Sequence, residues 1–110
     1  MERIHYAGGS FLTGSTISEA LFAYAAALAK QESSVSLEVP IRADDGSAGI
    51  ARVLVGPASQ FVSVPEASSF DELTDDGFVA NVRHETALLG PQRAGSLDEI
   101  DMLSEGVADL

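Results

Sequence analysis

Gly9 and Gly14 enclose Ser10-Phe11-Leu12-Thr13, and Ser15-Thr16 follow, which gives Gly-x-x-x-x-Gly ahead of two hydroxyls. A phosphate-binding loop uses this spacing: its N–H groups cradle phosphates while a lysine reaches the outer ones. Here Ser15 stands in the lysine's place, Phe11 and Leu12 make the loop half apolar, and no later strand ends in an Asp that could help hold magnesium. A helix N-terminus attracts anions in any protein. A strand running into the start of a helix accounts for these residues better than nucleotide chemistry.

Asp71, Glu72, Asp75 and Asp76 before Gly77 suggest a calcium loop. Such a loop needs oxygen ligands at positions 1, 3 and 5, Gly at 6 and Glu at 12. Counting from Asp71 puts Leu73 third and Asp76 sixth. Counting from Glu72 puts Gly77 sixth but Arg83 twelfth. Neither register works, so these acids are expected to cap helices. Asp44-Asp45-Gly46 reads as a turn for the same kind of reason.

His5 and His84 are the only side chains whose ordinary pKa lies near neutrality. A hydrolase could be assembled on paper from Ser59, a histidine and an acid, but the chain has no Gly-x-Ser-x-Gly elbow. With no cysteine there is no thiolate nucleophile, disulfide or Cys-ligated metal. The expectation is a protein without a catalytic set, a metal or a cofactor. The alternative is a small ligand-binding domain or hydrolase using the Gly8–Thr16 region and a histidine.

The elements that would position these residues follow from spacing. Arg3–Ala7 and Ser10–Thr13 flank Gly8-Gly9, a pair suited to a tight hairpin turn. Thr16-Ile17-Ser18-Glu19 has the form of a capping box, and Ile17, Leu21, Tyr24 and Leu28 then line one stripe of a helix ending near Lys30. Val35, Leu37, Val39 and Ile41 alternate with polar residues as a half-buried strand, with Pro40 expected at an edge or a strand end. Ile50–Val55 is a second strand, and Gly56-Pro57-Ala58-Ser59 suggests a reversal into a third at Gln60–Val64, so an antiparallel meander is expected. Ser69-Phe70-Asp71-Glu72 is a second box, expected to open one short turn. Asp75 or Asp76 caps a helix through Leu89 that Gly90-Pro91 stops. Ser96-Leu97-Asp98-Glu99 opens a last helix whose stripe is Leu97, Ile100, Leu103, Val107 and Leu110.

Taken together, 110 residues, 45% of them apolar, make one α+β domain. A small antiparallel sheet, an N-terminal hairpin plus a meander of four or five strands in all, packs on one long helix, with one or two C-terminal helices. Residues 1–90 form the globular domain and 91–110 an acidic, amphipathic segment. Ala20–Ala29 is too short an apolar run to span a bilayer. Ala27-Leu28-Ala29 has the form of a cleavage site, but Glu2 and Glu19 against Arg3 alone do not make a signal's positive leader. A cytoplasmic protein is expected.

Charge is segregated. Residues 1–64 hold 6 acidic and 4 basic side chains, whereas residues 65–110 hold 11 and 2, within a total of −11. That balance opposes direct binding of nucleic acid, which needs Lys and Arg against phosphate, and of an anionic membrane surface. Around the terminal stripe, Asp98, Glu99 and Asp101 suit a groove on a basic protein. Leu97, Ile100, Leu103 and Val107, with those three acids, are the expected partner-binding residues; the alternative is that the stripe packs on its own domain or on a second copy. A domain this small leaves apolar surface and sheet edges to satisfy, which homodimerisation would answer.

The run Ile4-His5-Tyr6-Ala7-Gly8-Gly9-Ser10-Phe11-Leu12-Thr13-Gly14, followed by the Ala-rich helix and Gly56-Pro57-Ala58-Ser59-Gln60, resembles a group of short uncharacterised actinobacterial proteins. The resemblance covers residues 1–64 best. It implies no activity, cofactor or site residue. From the charge segregation, the amphipathic terminus and the lack of a coherent active-site set, the functional expectation is a non-catalytic protein-binding or adaptor module with an acidic contact surface.

Overall fold

Apolar alternation and the 3.6-residue stripe produce the elements in a computed structural model that describes residues 1–90. In chain order they are β1 (Glu2–Tyr6), β2 (Gly9–Thr13), α1 (Ser15–Lys30), β3 (Val35–Arg42), β4 (Ala48–Val55), β5 (Phe61–Pro65) and α2 (Asp76–Leu88). The strands form one antiparallel sheet in the order β4-β3-β2-β1-β5, so the α+β class holds. The expected terminal helix, with Leu97, Asp98, Glu99, Ile100, Asp101, Leu103 and Val107, lies outside the described residues.

The hairpin turn falls one residue earlier than Gly8-Gly9. Tyr6 pairs with Gly9, so the two loop residues are Ala7 and Gly8, at φ +52° and +81°. Either placement keeps Ile4 and Phe11 on the same face, because the two registers differ by two residues. Alternation alone therefore does not choose between them. The Asp44–Ser47 turn is as expected, with Gly46 at φ +89° and the Asp45 carboxylate accepting from the Ser47 N–H and hydroxyl.

The expected meander stops after two strands. β5 pairs with β1, not with β4, and the two lie at opposite edges of the sheet. The short Gly56–Gln60 link makes this possible only because the sheet is strongly curled. From Val35 to Arg42 is seven residues along β3, and from Leu12 back to Gly9 is three more along β2. Laid flat, Val55 and Phe61 would therefore stand about 33 Å apart along the strands and about 19 Å across them. Six Cα steps reach roughly 20 Å at most. The curl brings the end of β4 to the tip of the first hairpin, where the Tyr6 hydroxyl donates to the Leu54 carbonyl at 2.8 Å.

The core lies between sheet and helices. Ile17, Leu21, Tyr24 and Leu28 are all buried, as their spacing predicts, against Ile4, Val39, Val53 and Val55 from the sheet and Val79 and Val82 from α2. Truncating one such aliphatic side chain to Ala costs roughly 2–5 kcal/mol. A missing helix cap costs about 1 kcal/mol, so packing holds α1 in place more than its ends do. Pro40 sits inside β3 rather than at a strand end. The β2 ladder reaches β3 only at Leu12 and Arg42, and the Pro40 carbonyl accepts from the buried Thr13 hydroxyl at 2.8 Å. The absent proline N–H thus falls where β2 offers no ladder partner.

Candidate functional site

The first candidate, the Gly9–Thr16 loop, is closed to phosphate by the fold. Gly9–Thr13 is paired strand, and α1 starts at Ser15 with Gly14 as its N-cap. No local capping box forms, which corrects the Thr16–Glu19 expectation. Instead Glu72 reaches in from 57 residues away: one carboxylate oxygen accepts from the Ser15 N–H at 2.7 Å, and the other lies 3.1 Å from the Met1 amino group. These contacts, led by the Ser15 N–H, hold the Glu72 carboxyl below its ordinary range. Glu72 occupies the position an anion would seek.

The acidic run is engaged in the same way. Asp75 caps α2, its carboxylate accepting from the Phe78 N–H at 2.9 Å. Residues 69–72 form no helical turn, so Ser69-Phe70-Asp71-Glu72 is not a box; Ser68 instead accepts from the Phe70 N–H. Among the described residues no three His, Asp or Glu side chains converge as metal ligands.

His5 and His84 are both exposed and sit on different elements, β1 and α2. The fold does bring His5 beside Gly8, Gly9 and Ser10, in an open groove of about 490 Å³ completed by Gln60 and Val62. Among the described residues no carboxylate lines that groove to orient an imidazole or share its proton. Ser59 takes another role, its hydroxyl donating to the Leu54 carbonyl at 2.9 Å. The Ser–His–acid trio is not assembled.

A smaller hollow of about 260 Å³ lies where Arg3, Arg42, Asp44, Glu66, Ser68 and Phe70 meet. Sequence reasoning missed it because its residues come from stretches far apart in the chain. One of its ion pairs is closed, and its other guanidinium is held by backbone carbonyls with its buried Nε left without a hydrogen-bond partner. Arg3 holds Glu66 through two bonds at 3.1 and 2.7 Å, which keeps that carboxyl below its usual range. Arg42 donates to the carbonyls of Gly46 and Asp71.

Among the described residues, what stays open is the outer edge of β4. Pro40 lacks an N–H, so its pair with Ile50 exchanges no hydrogen bonds with β3. Antiparallel alternation then turns the N–H and C=O groups of Ala48, Ile50, Arg52 and Leu54 away from β3. The Leu54 carbonyl, held by Tyr6 and Ser59, shows this orientation directly. On the outer face Ile50 is 62% exposed and Leu54 59%. Between them Arg52 pairs loosely with Glu38 at 3.3 Å, both well solvated, a contact of little energetic weight.

The opposite edge is better defended. β5 has five residues and ends in Pro65, and the Pro65–Glu2 pair leaves only Phe61 and Ser63 to offer outward N–H groups. β4 runs for eight residues without proline. Sequence alternation identified Ile50–Val55 as a strand but gave no sign that it would end the sheet.

Comparison of the chain with protein-family models, curated proteins and solved structures finds no match. No described helix is long and apolar enough to cross a membrane.

Proposed function

We propose that the protein is a non-catalytic binding module that recognises other polypeptides, in the cytoplasm, through the β4 edge together with its acidic C-terminal segment. One observation carries the reading: among the described residues, an eight-residue edge strand presents unpaired backbone groups and two exposed aliphatic side chains, with none of the usual edge defences beyond Arg52. Strand addition uses such an edge, main-chain bonds supplying affinity and alternate side chains supplying selectivity. The groups that could have suggested catalysis have other duties, Glu72 and Asp75 as caps and Ser59 as a carbonyl donor.

The acidic segment contributes attraction to a basic partner. Leu97, Ile100, Leu103 and Val107 supply its apolar contact, and Asp98, Glu99 and Asp101 its charge. The same edge suits homodimerisation.

Affinity capture with the full chain, with Ile50→Lys and with a chain lacking residues 96–110 tests the reading, each first checked for native circular dichroism. Ile50→Lys installs a standard edge defence on an exposed side chain and should release a partner held at β4. Removing 96–110 should weaken capture in a salt-dependent manner. Capture unchanged by either alteration would refute the proposal.

A further inference from the structure

We infer that the β4 edge receives a second copy of this chain, added antiparallel about a two-fold axis at Ile50; this rests on the binding reading above and names its occupant. The available stretch of edge determines where a strand can sit. Toward its C-terminal end the Leu54 carbonyl is held by the hydroxyls of Tyr6 and Ser59. Toward its N-terminal end the strand gives way to the Asp44–Ser47 turn, pinned by Asp45 on Ser47. Between these limits Ala48, Ile50 and Arg52 turn their N–H and C=O groups outward. A two-fold contact pairs a surface with itself. Full pairing of this stretch therefore sets Ile50 on Ile50 and Ala48 on Arg52, exchanging about six backbone hydrogen bonds.

Side-chain chemistry selects the same register. Sliding the strands so that Ile50 meets Leu54 places Arg52 directly on Arg52, and like charges opposite one another destabilise a sheet. The intermediate slide sets Ile50 on Arg52 and wastes the apolar match. With Ile50 at the axis, the exposed Ile50 side chains of the two copies cover each other. Each Arg52 then comes opposite Ala48, next to the acidic Asp44-Asp45 turn of the other copy. Charge complementarity is thus built into a contact between identical molecules. The β5 edge cannot match this, because Pro65 removes one of its donors.

The chain contains no cysteine, so single introduced cysteines read the register without background. Cα atoms in a hydrogen-bonded antiparallel pair stand about 5.5 Å apart, within disulfide reach. Full-length Ile50→Cys, mildly oxidised at roughly 50 μM, should form covalent dimer at least about tenfold faster than Arg52→Cys, whose own copies lie four residues apart. A mixture of Ala48→Cys and Arg52→Cys should give the mixed disulfide. Sedimentation equilibrium of the unsubstituted chain should show twice 11.4 kDa. Ile50→Lys should weaken that association roughly tenfold by placing like charges on the axis.

Only monomer in sedimentation, or cross-linking strongest at Arg52→Cys or equal at all three positions, overturns the inference. A dimer that Ile50→Lys leaves equally tight overturns it as well. A monomeric chain that loses a captured partner on Ile50→Lys removes the second copy as occupant but keeps β4 as the binding edge. If Ile50→Lys alters neither dimer nor capture, the binding reading of β4 falls too.

Discussion

The Tyr6 hydroxyl donates to the Leu54 carbonyl at 2.8 Å, joining the tip of the first hairpin to the free edge of the last-but-one strand. The Tyr6 ring also stacks on Phe61, centroids 4.9 Å apart, and Phe61 in turn meets Phe22 of α1 at 5.7 Å. Tyr6 thereby ties together β1, β4, β5 and the long helix. Tyr6→Phe keeps the ring and removes the donor. It should cost about 0.5–1 kcal/mol, since Ser59 still serves the same carbonyl. Urea unfolding at constant slope measures it.

Glu72→Gln should destabilise the domain by about 1 kcal/mol at neutral pH through loss of a charged cap on α1. The sign of the pH dependence follows from the depressed carboxyl. Its folded value lies below the ordinary value of 4.5, so its contribution is complete above that value and disappears as the pH falls through the folded one. Thermal melts should therefore show the two proteins converging in stability as the pH is lowered from about 6 to about 3.

Gly14→Ala should destabilise the domain although Gly14 has an ordinary φ of −73°. A Cβ there would overlap the Leu73 carbonyl, which is backbone and cannot swing aside. The loop carrying Glu72 would have to move, with a loss of roughly 1–3 kcal/mol. Chemical denaturation reads the loss. A fall below about 0.5 kcal/mol would mean the loop gives way freely.

Ala7→Asn runs in the opposite direction. Ala7 holds φ +52° in a two-residue turn, a conformation that costs a non-glycine side chain roughly 1–2 kcal/mol. Asn-Gly is a favoured sequence for a turn with two positive φ angles, so the variant should gain about 0.5–1 kcal/mol in denaturant unfolding.

Most elements were legible because burial imposes a period on sequence. The Ile17, Leu21, Tyr24, Leu28 stripe, the alternation from Val35 to Ile41, and the Asp75 cap are all local signals. What escaped was whatever depends on residues distant in the chain. β5 finds β1 across some sixty positions, and no property of Phe61–Pro65 names its neighbour. Glu72 displaces a local capping box because the fold carries it to the end of α1. The open face of β4 is a consequence of strand order, so alternation revealed the strand without its exposure.

The placement of β1 between β2 and β5 also bears on how the chain is made. One neighbour of β1 is ready within a dozen residues, but the other arrives only when Pro65 has left the ribosome. Until then β1 keeps a bare flank, and its pairing with β5 is the kind of distant contact that makes folding slow. Before β5 is made, that flank of β1 is an unpaired strand edge open to any other strand it meets.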